Sequence, residues 1–101
     1  MRVEFHPEAL KEYNEAAHYY ADCQEGLELR FVDAVEDGIG RVIEDPMRWR
    51  VFAEDVRRCL THVFPYAILY TIEREEVILI IAVMHCRRAP DYWRERMRHN
   101  G

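Results

Sequence analysis

The apolar positions of this chain change period near residue 49. Before that point they recur in steps of three and four; after it they alternate or run together. Arg2 to Phe5 sets Val3 and Phe5 against Arg2 and Glu4, a short strand pattern. Pro7 suits the first turn of a helix, and Glu8 complements the helix dipole there. Leu10, Tyr13, Ala17 and Tyr20 predict the core-facing stripe of a first helix over residues 7–23, with Glu12, Glu15 and Asp22 on its solvated side. Gly26 breaks the pattern. Leu27, Phe31, Ala34 or Val35, Gly38 and Val42 predict a second helix over residues 27–44, ended by Asp45-Pro46. The short connection makes the two helices antiparallel neighbours. Gly38 and Gly40 each cost a helix up to ~1 kcal/mol relative to alanine. Either they admit the first helix closely or they mark a weak helix end.

Past residue 49 the pattern is that of strands. Residues 49–52 form a short one and 55–63 a second. In the second, Val56, Arg58, Leu60 and His62 face one way and Arg57, Cys59, Thr61 and Val63 the other. Phe64-Pro65 marks a turn or bulge. A third strand covers 66–72, Arg74-Glu75 is a polar turn, and 77–84 is the most apolar strand and therefore expected to be central. Strands this close in sequence predict an antiparallel meander. Pro90 opens a last short helix over 91–98, whose arginines Arg94, Arg96 and Arg98 approach the negative pole of its dipole. The order β-α-α-β-β-β-β-α predicts an α+β fold: a mostly antiparallel twisted sheet with a two-helix hairpin on one face and a short C-terminal helix. The 101 residues are expected to form a single domain spanning 1–101.

Composition adds limits. Half the residues are hydrophobic and a third are charged, as in a globular domain rather than a disordered tail. The longest apolar run, 77–84, is far short of the ~20 residues that span a bilayer. The opening M-R-V-E-F-H-P has no apolar signal region, so a cytoplasmic protein is expected. Cys23, Cys59 and Cys86 are widely spaced, odd in number and without a CxxC pair, which reads as reduced, unrelated thiols. His6, His18, His62, His85 and His99 make no spaced ligand set, and no glycine-rich phosphate loop is present, so no metal or cofactor is expected.

The net charge of −5 is unevenly placed: residues 1–46 carry −8 and residues 47–101 carry +3. Lys11 is the only lysine, against thirteen arginines, the better residue for bidentate anion contacts. An acidic total argues against strong non-specific binding to DNA, which depends on phosphate neutralisation. An anionic partner would meet the C-terminal half.

That half holds the candidate chemistry. In I-L-I-I-A-V-M-H-C-R-R-A-P-D-Y-W, residues 78–93, an apolar strand ends at His85 and is followed by Arg87, Arg88 and then Tyr92 and Trp93. Histidine suits acid–base work near neutrality. Arg57, Arg58, Arg87 and Arg88 supply cations, although alternation sends Arg57 and Arg58 to opposite faces. Simpler roles stand beside these: His85 bonding a neighbouring backbone group, and Pro90, Tyr92 and Trp93 packing the last helix.

In order and spacing, F-P-Y-A-I-L-Y followed by A-V-M-H-C-R-R-A-P-D-Y-W resembles the RelE/ParE superfamily of toxins of bacterial type II toxin–antitoxin systems. F-H-P-E-A, E-A-A-H-Y-Y, R-F-V-D-A-V, I-E-D-P and V-R-R-C-L-T-H-V extend the resemblance over nearly the whole chain, most similar to the ParE-like, or plasmid-stabilisation, branch. The resemblance implies a toxin neutralised by a cognate antitoxin, with one of two targets. ParE-branch toxins inhibit DNA gyrase by protein contact; RelE-branch toxins cut mRNA on the ribosome. Ala67 stands where RelE-like sequences carry an arginine, and the lysine-rich surface of that branch is missing, which favours the gyrase reading. There, Arg57, Arg58, Arg87, Arg88 and Trp93 are the expected contacts to antitoxin or target. Under the ribonuclease alternative His85, Arg58, Arg87 and Tyr92 would be catalytic. A third alternative is an inactive scaffold that only binds antitoxin.

Overall fold

The computed structural model describes residues 1–100, apart from the side chains of Glu75, Arg98, His99 and Asn100. The expectations for Arg98 as a helix-end cation and for His99 as a non-ligand thus fall outside the described residues. Strand β1 (Arg2–Phe5) leads into helix α1 (Pro7–Cys23), and α2 (Leu27–Glu44) follows. Strands β2 (Val51–Ala53), β3 (Val56–Leu60), β4 (Tyr66–Glu73) and β5 (Val77–His85) complete one sheet, with a single 3-10 turn, Arg74–Glu76, between the last two. The expected class is observed, and so is the order up to the last element. The sheet order is β1-β5-β4-β3-β2; β1 runs parallel to β5 and every other pair is antiparallel. β5 is internal, as its apolar run predicts, while β4 takes the middle place.

The expected breaks have local causes. His6 caps α1 by accepting the Glu8 N–H at 3.1 Å, and Pro7 stands in the first turn, where no amide is needed. Gly26 enters α2 with φ 83°, a left-handed backbone that glycine takes without strain. The last element differs from expectation. Residues 89–93 are turns and Arg94–Asn100 is 3-10 rather than α-helix. Its side chains are bonded to strand β5 and helix α1, and that overrides the helical pattern.

The sheet is covered on both faces. On one, Ala9, Tyr13 and Ala16 of α1 and Phe31, Val35, Ile39 and Val42 of α2 pack on Cys59, Ile68, Tyr70, Ile78, Ile80 and Val83. The other carries Val56, Ala67, Leu69, Ile81, Ala82 and Met84, closed by Trp93. The α1 stripe is rotated by one residue from expectation: Leu10 is exposed and Ala9 is buried. The small Ala9 and Ala16 let α1 lie close to the sheet.

Two local features shape this packing. A Cβ at Gly38 would lie 2.7 Å from Cδ1 of Ile68, so the glycine admits strand β4 and not the first helix; a Cβ at Gly40 meets nothing within 4 Å. Strand β5 also carries a bulge. Leu69 pairs with Ala82 but Tyr70 pairs with Ile80, leaving Ile81 as the extra residue. The bulge reverses the phase of β5: Ile78 and Ile80 face the helices before it, and Val83 and His85 do so after it.

Gly40→Ala is expected to stabilise the fold by about 0.5–1 kcal/mol through helix propensity. Gly38→Ala is expected to lose that gain and about 1 kcal/mol more through overpacking against Ile68. Urea denaturation of the two variants checks this, and equal stability would remove Gly38 as the spacer between helix and sheet. Tyr70 supplies a pH test. It is fully buried, its hydroxyl donates to the Pro46 carbonyl at 2.6 Å, and burial pushes its pKa up to about 12 from 10.0. A raised folded pKa gives stability that is complete below pH 10 and lost as pH rises through about 12. Thermal melts between those limits should fall less steeply for Tyr70→Phe than for the wild type.

Candidate functional site

Of the candidate residues, His85, Arg87 and Arg88 lie where β5 ends and its chain turns back. The Cys86 amide donates to the Pro65 carbonyl at 2.8 Å, which sets the turn after β5 against the turn between β3 and β4. The Arg88 amide closes the turn on the His85 carbonyl at 2.9 Å, and the Arg87 amide donates to Nδ1 of His85 at 3.1 Å. His85 lies edge-on to Tyr66, ring centroids 5.1 Å apart, on the helix-covered face. Its simpler role, bonding a neighbouring backbone group, is what the geometry gives it.

The four arginines separate. Arg57 turns to the helix side, where its guanidinium donates to the carbonyls of Met47 at 3.3 Å and Trp49 at 2.5 Å and ties down the loop before β2. Arg58 leaves the opposite face and lies over Phe52, 4.8 Å from the ring centre. Alternation predicts that division. Arg87 is exposed, and its guanidinium meets no partner among the described residues. Arg88 stacks on Tyr92 at 3.8 Å and approaches the Glu12 carboxylate at 3.6 Å. Trp93 is 0% exposed and its indole N–H donates to the Pro90 carbonyl at 2.7 Å, so the ring closes the lower core and presents nothing to solvent. Of the five expected contact residues, Arg58, Arg87 and Arg88 are exposed, Arg58 against Phe52 of β2 and Arg88 against Tyr92 and Glu12.

The ribonuclease quartet is divided in the same way. His85 and Arg58 leave the sheet on opposite faces. The Tyr92 hydroxyl is already donating to Glu12 at 2.6 Å, and burial together with that bond pushes its pKa upward. Burial also raises the Cys86 thiol, by more than the nearby charge of Arg58 lowers it, which opposes thiolate chemistry. Among the described residues no three histidine, cysteine or carboxylate side chains gather as a metal site. No helix among them is long and apolar enough to cross a membrane.

Sequence reasoning missed the residue that holds this region together. Glu12, expected on the solvated side of α1, has a side chain only 11% exposed. Its carboxylate accepts the Val83 amide at 3.1 Å, the Tyr92 hydroxyl at 2.6 Å and both Nη atoms of Arg96, at 2.9 and 2.8 Å. Nη1 of Arg96 also donates to the Ile81 carbonyl at 2.9 Å. Burial works against the charge on Arg96, but the bonded Glu12 more than offsets it and holds the guanidinium above its ordinary pKa. The sequence does carry a signal. Ala9 and Ala16 bracket Glu12 one turn to either side, which places it in the small-residue seam that meets the sheet.

A family model described as "ParE toxin of type II toxin-antitoxin system, parDE" matches residues 3–90. Among solved structures, a chain of the chromosomal ParDE toxin–antitoxin system from P. aeruginosa superposes with a TM-score of 0.70 at 12% identity, over 84% of this chain and 95% of that one. At that identity the likeness is one of fold. No curated protein matches.

Removing the Glu12 charge should cost more than removing a surface carboxylate. Glu12→Gln leaves Arg96 and Val83 short of acceptors in a largely dry site, and a loss of about 2–4 kcal/mol is expected. Urea denaturation followed by tryptophan fluorescence reads it. Glu15→Gln on the exposed side is the control, and equal effects at the two positions would mean that the network does not anchor the C-terminal segment.

Proposed function

The chain belongs to the ParE toxin family of type II toxin–antitoxin systems, and from that membership we propose that it inhibits DNA gyrase by protein contact and is neutralised by a cognate antitoxin. The whole chain acts as one domain in the cytoplasm, where its target works. The family match is the observation that carries this reading. The division of His85, Arg58 and Tyr92 between different surroundings supports contact over catalysis, because a cleaving site needs base, cation and acid around one phosphate.

The antitoxin contributes an amphipathic segment that folds on binding. Its acids meet the exposed arginines Arg58, Arg87 and Arg88. Among the described residues Arg87 has no partner to give up, so a carboxylate gains it at little cost. Arg88 must share its contact with Glu12.

Gyrase supercoiling assays with purified toxin are expected to show inhibition that the antitoxin reverses. Charge reversal of Arg87 and Arg88 together should weaken the antitoxin complex by about 10–100-fold. Unchanged affinity would sink the edge as an electrostatic contact. In parallel, the toxin is incubated with translating ribosomes and the message is mapped for cuts. Ribosome-dependent cleavage abolished by His85→Ala would replace the gyrase reading with the ribonuclease one. Normal growth during strong expression of folded toxin without antitoxin would instead indicate an inactive scaffold.

A further inference from the structure

The turn between β3 and β4 holds a strained backbone at an exposed residue. Val63 has φ 72° and is 89% exposed. A β-branched residue in the left-handed region is a true outlier, where glycine or asparagine would sit with less strain. The Phe64 amide bonds the His62 carbonyl at 2.8 Å across Val63, the three-residue turn with positive central φ that is rare because it is strained. Among the described residues no buried apolar contact offsets the strain, since Val63 belongs to neither core.

The surroundings hold the turn in place. The Thr61 hydroxyl lies 2.9 Å from the Phe64 carbonyl and 3.1 Å from that of Tyr66. The Phe64 ring packs between Tyr20 and Phe31, with centroids 5.0 and 5.4 Å away. The Pro65 carbonyl takes the Cys86 amide. Val63 is therefore a raised, rigid apolar point at the end of the sheet where Arg87 begins. Leu60 is half exposed at the same end, on the face shared with Arg58. One exposed valine would need no explanation. A strained, fixed valine does, on a turn entered from the strand face that carries Leu60 and Arg58 and tied through Pro65 to the turn that carries Arg87, because strain persists where the surrounding structure over-determines it and clusters at functional surfaces.

We infer that Val63 and Leu60, flanked by Arg58 and Arg87, form a docking point for an acidic, amphipathic segment of the antitoxin. The occupant follows from complementarity: apolar side chains cover the two aliphatic residues while carboxylates reach the cations beside them. The inference rests on the proposed antitoxin reading and adds to it an apolar anchor. Preorganisation is the advantage of the strained turn, since a fixed anchor loses little entropy when it is covered.

The test separates folding from docking. Asparagine and glycine both tolerate φ near 72°, so Val63→Asn and Val63→Gly are expected to hold or raise Tm. Leu60→Thr keeps a strand-favouring residue. A cognate antitoxin is titrated calorimetrically against each variant at several salt concentrations. Val63→Asn and Leu60→Thr should each weaken binding by about fivefold or more while leaving its salt dependence unchanged, whereas Arg87→Glu should flatten that dependence. Wild-type affinity in both apolar variants would overturn the inference. So would an affinity loss that merely tracks a fall in Tm, or a wild-type dimer that Val63→Asn dissociates in sedimentation, which would make the point a contact between copies. If wild-type toxin binds no antitoxin, the reading under Proposed function fails first and this one falls with it.

Discussion

Strand β5 is buried on both faces, yet it has a neighbour along only part of one edge. β4 pairs with its full length, but β1 ends at Phe5 opposite Ile80. The His6 amide makes one last bond to the Ile80 carbonyl, and Pro7 then turns the chain into α1. The Ile81 carbonyl and the Val83 amide beyond would be left without partners in an apolar setting, at a cost of about 1–3 kcal/mol each. Arg96 and Glu12 take those two positions and are bonded to each other as well. Two side chains do the work of the missing strand. An isolated buried ion pair rarely repays its desolvation. This one also satisfies two backbone groups and the Tyr92 hydroxyl, so each buried lone pair and proton has several uses. The position of the C-terminal segment on the sheet, and with it the burial of Trp93, depends on that closure.

The bulge at Ile81 is the complement of this arrangement. It puts both Ile81 and Ala82 on the lower face, against Trp93, and returns Val83 and His85 to the helix side. A regular strand would have sent His85 downward, toward the face from which Arg58 emerges. The separation of the histidine from that arginine is thus a consequence of one extra residue in a strand. Arg57 and Arg58 are divided by ordinary alternation in β3. The cations left on the exposed edge are those that neither rule draws inward.

The order of elements was legible because each boundary has a chemical marker: Pro7, Gly26, Asp45-Pro46 and Phe64-Pro65. The meander was legible from short polar breaks between apolar runs. Three features were not. The rotation of α1 was ambiguous because Tyr13 and Tyr20 belong to either stripe, and only packing against the sheet selects Ala9 over Leu10. The bulge was hidden because Ile78 to Met84 contains no polar residue to mark the phase. Glu12 was misplaced because a carboxylate on an amphipathic helix reads as solvated, and its partners, Val83, Tyr92 and Arg96, lie about seventy to eighty-four residues away. The candidate edge shows the same limit. The opposed faces of Arg57 and Arg58 follow from local spacing, but the engagement of Arg57 with the 47–49 loop and the burial of Trp93 depend on tertiary neighbours.

Charge placement bears on what kind of partner suits such an edge. The chain carries −5 overall, concentrated in the helical half. At physiological ionic strength the screening length is about 8 Å, so a partner close to Arg58 and Arg87 feels those charges more than the distant acids. A long polyanion such as DNA or an mRNA cannot confine itself to that edge; it extends past it and meets the acidic surface. A short protein segment can place two or three carboxylates at the arginines and end its charge there, using apolar side chains for the rest. Under the proposed reading, a short acidic protein segment suits the exposed arginines better than a long polyanion, which would also meet the acidic helical half.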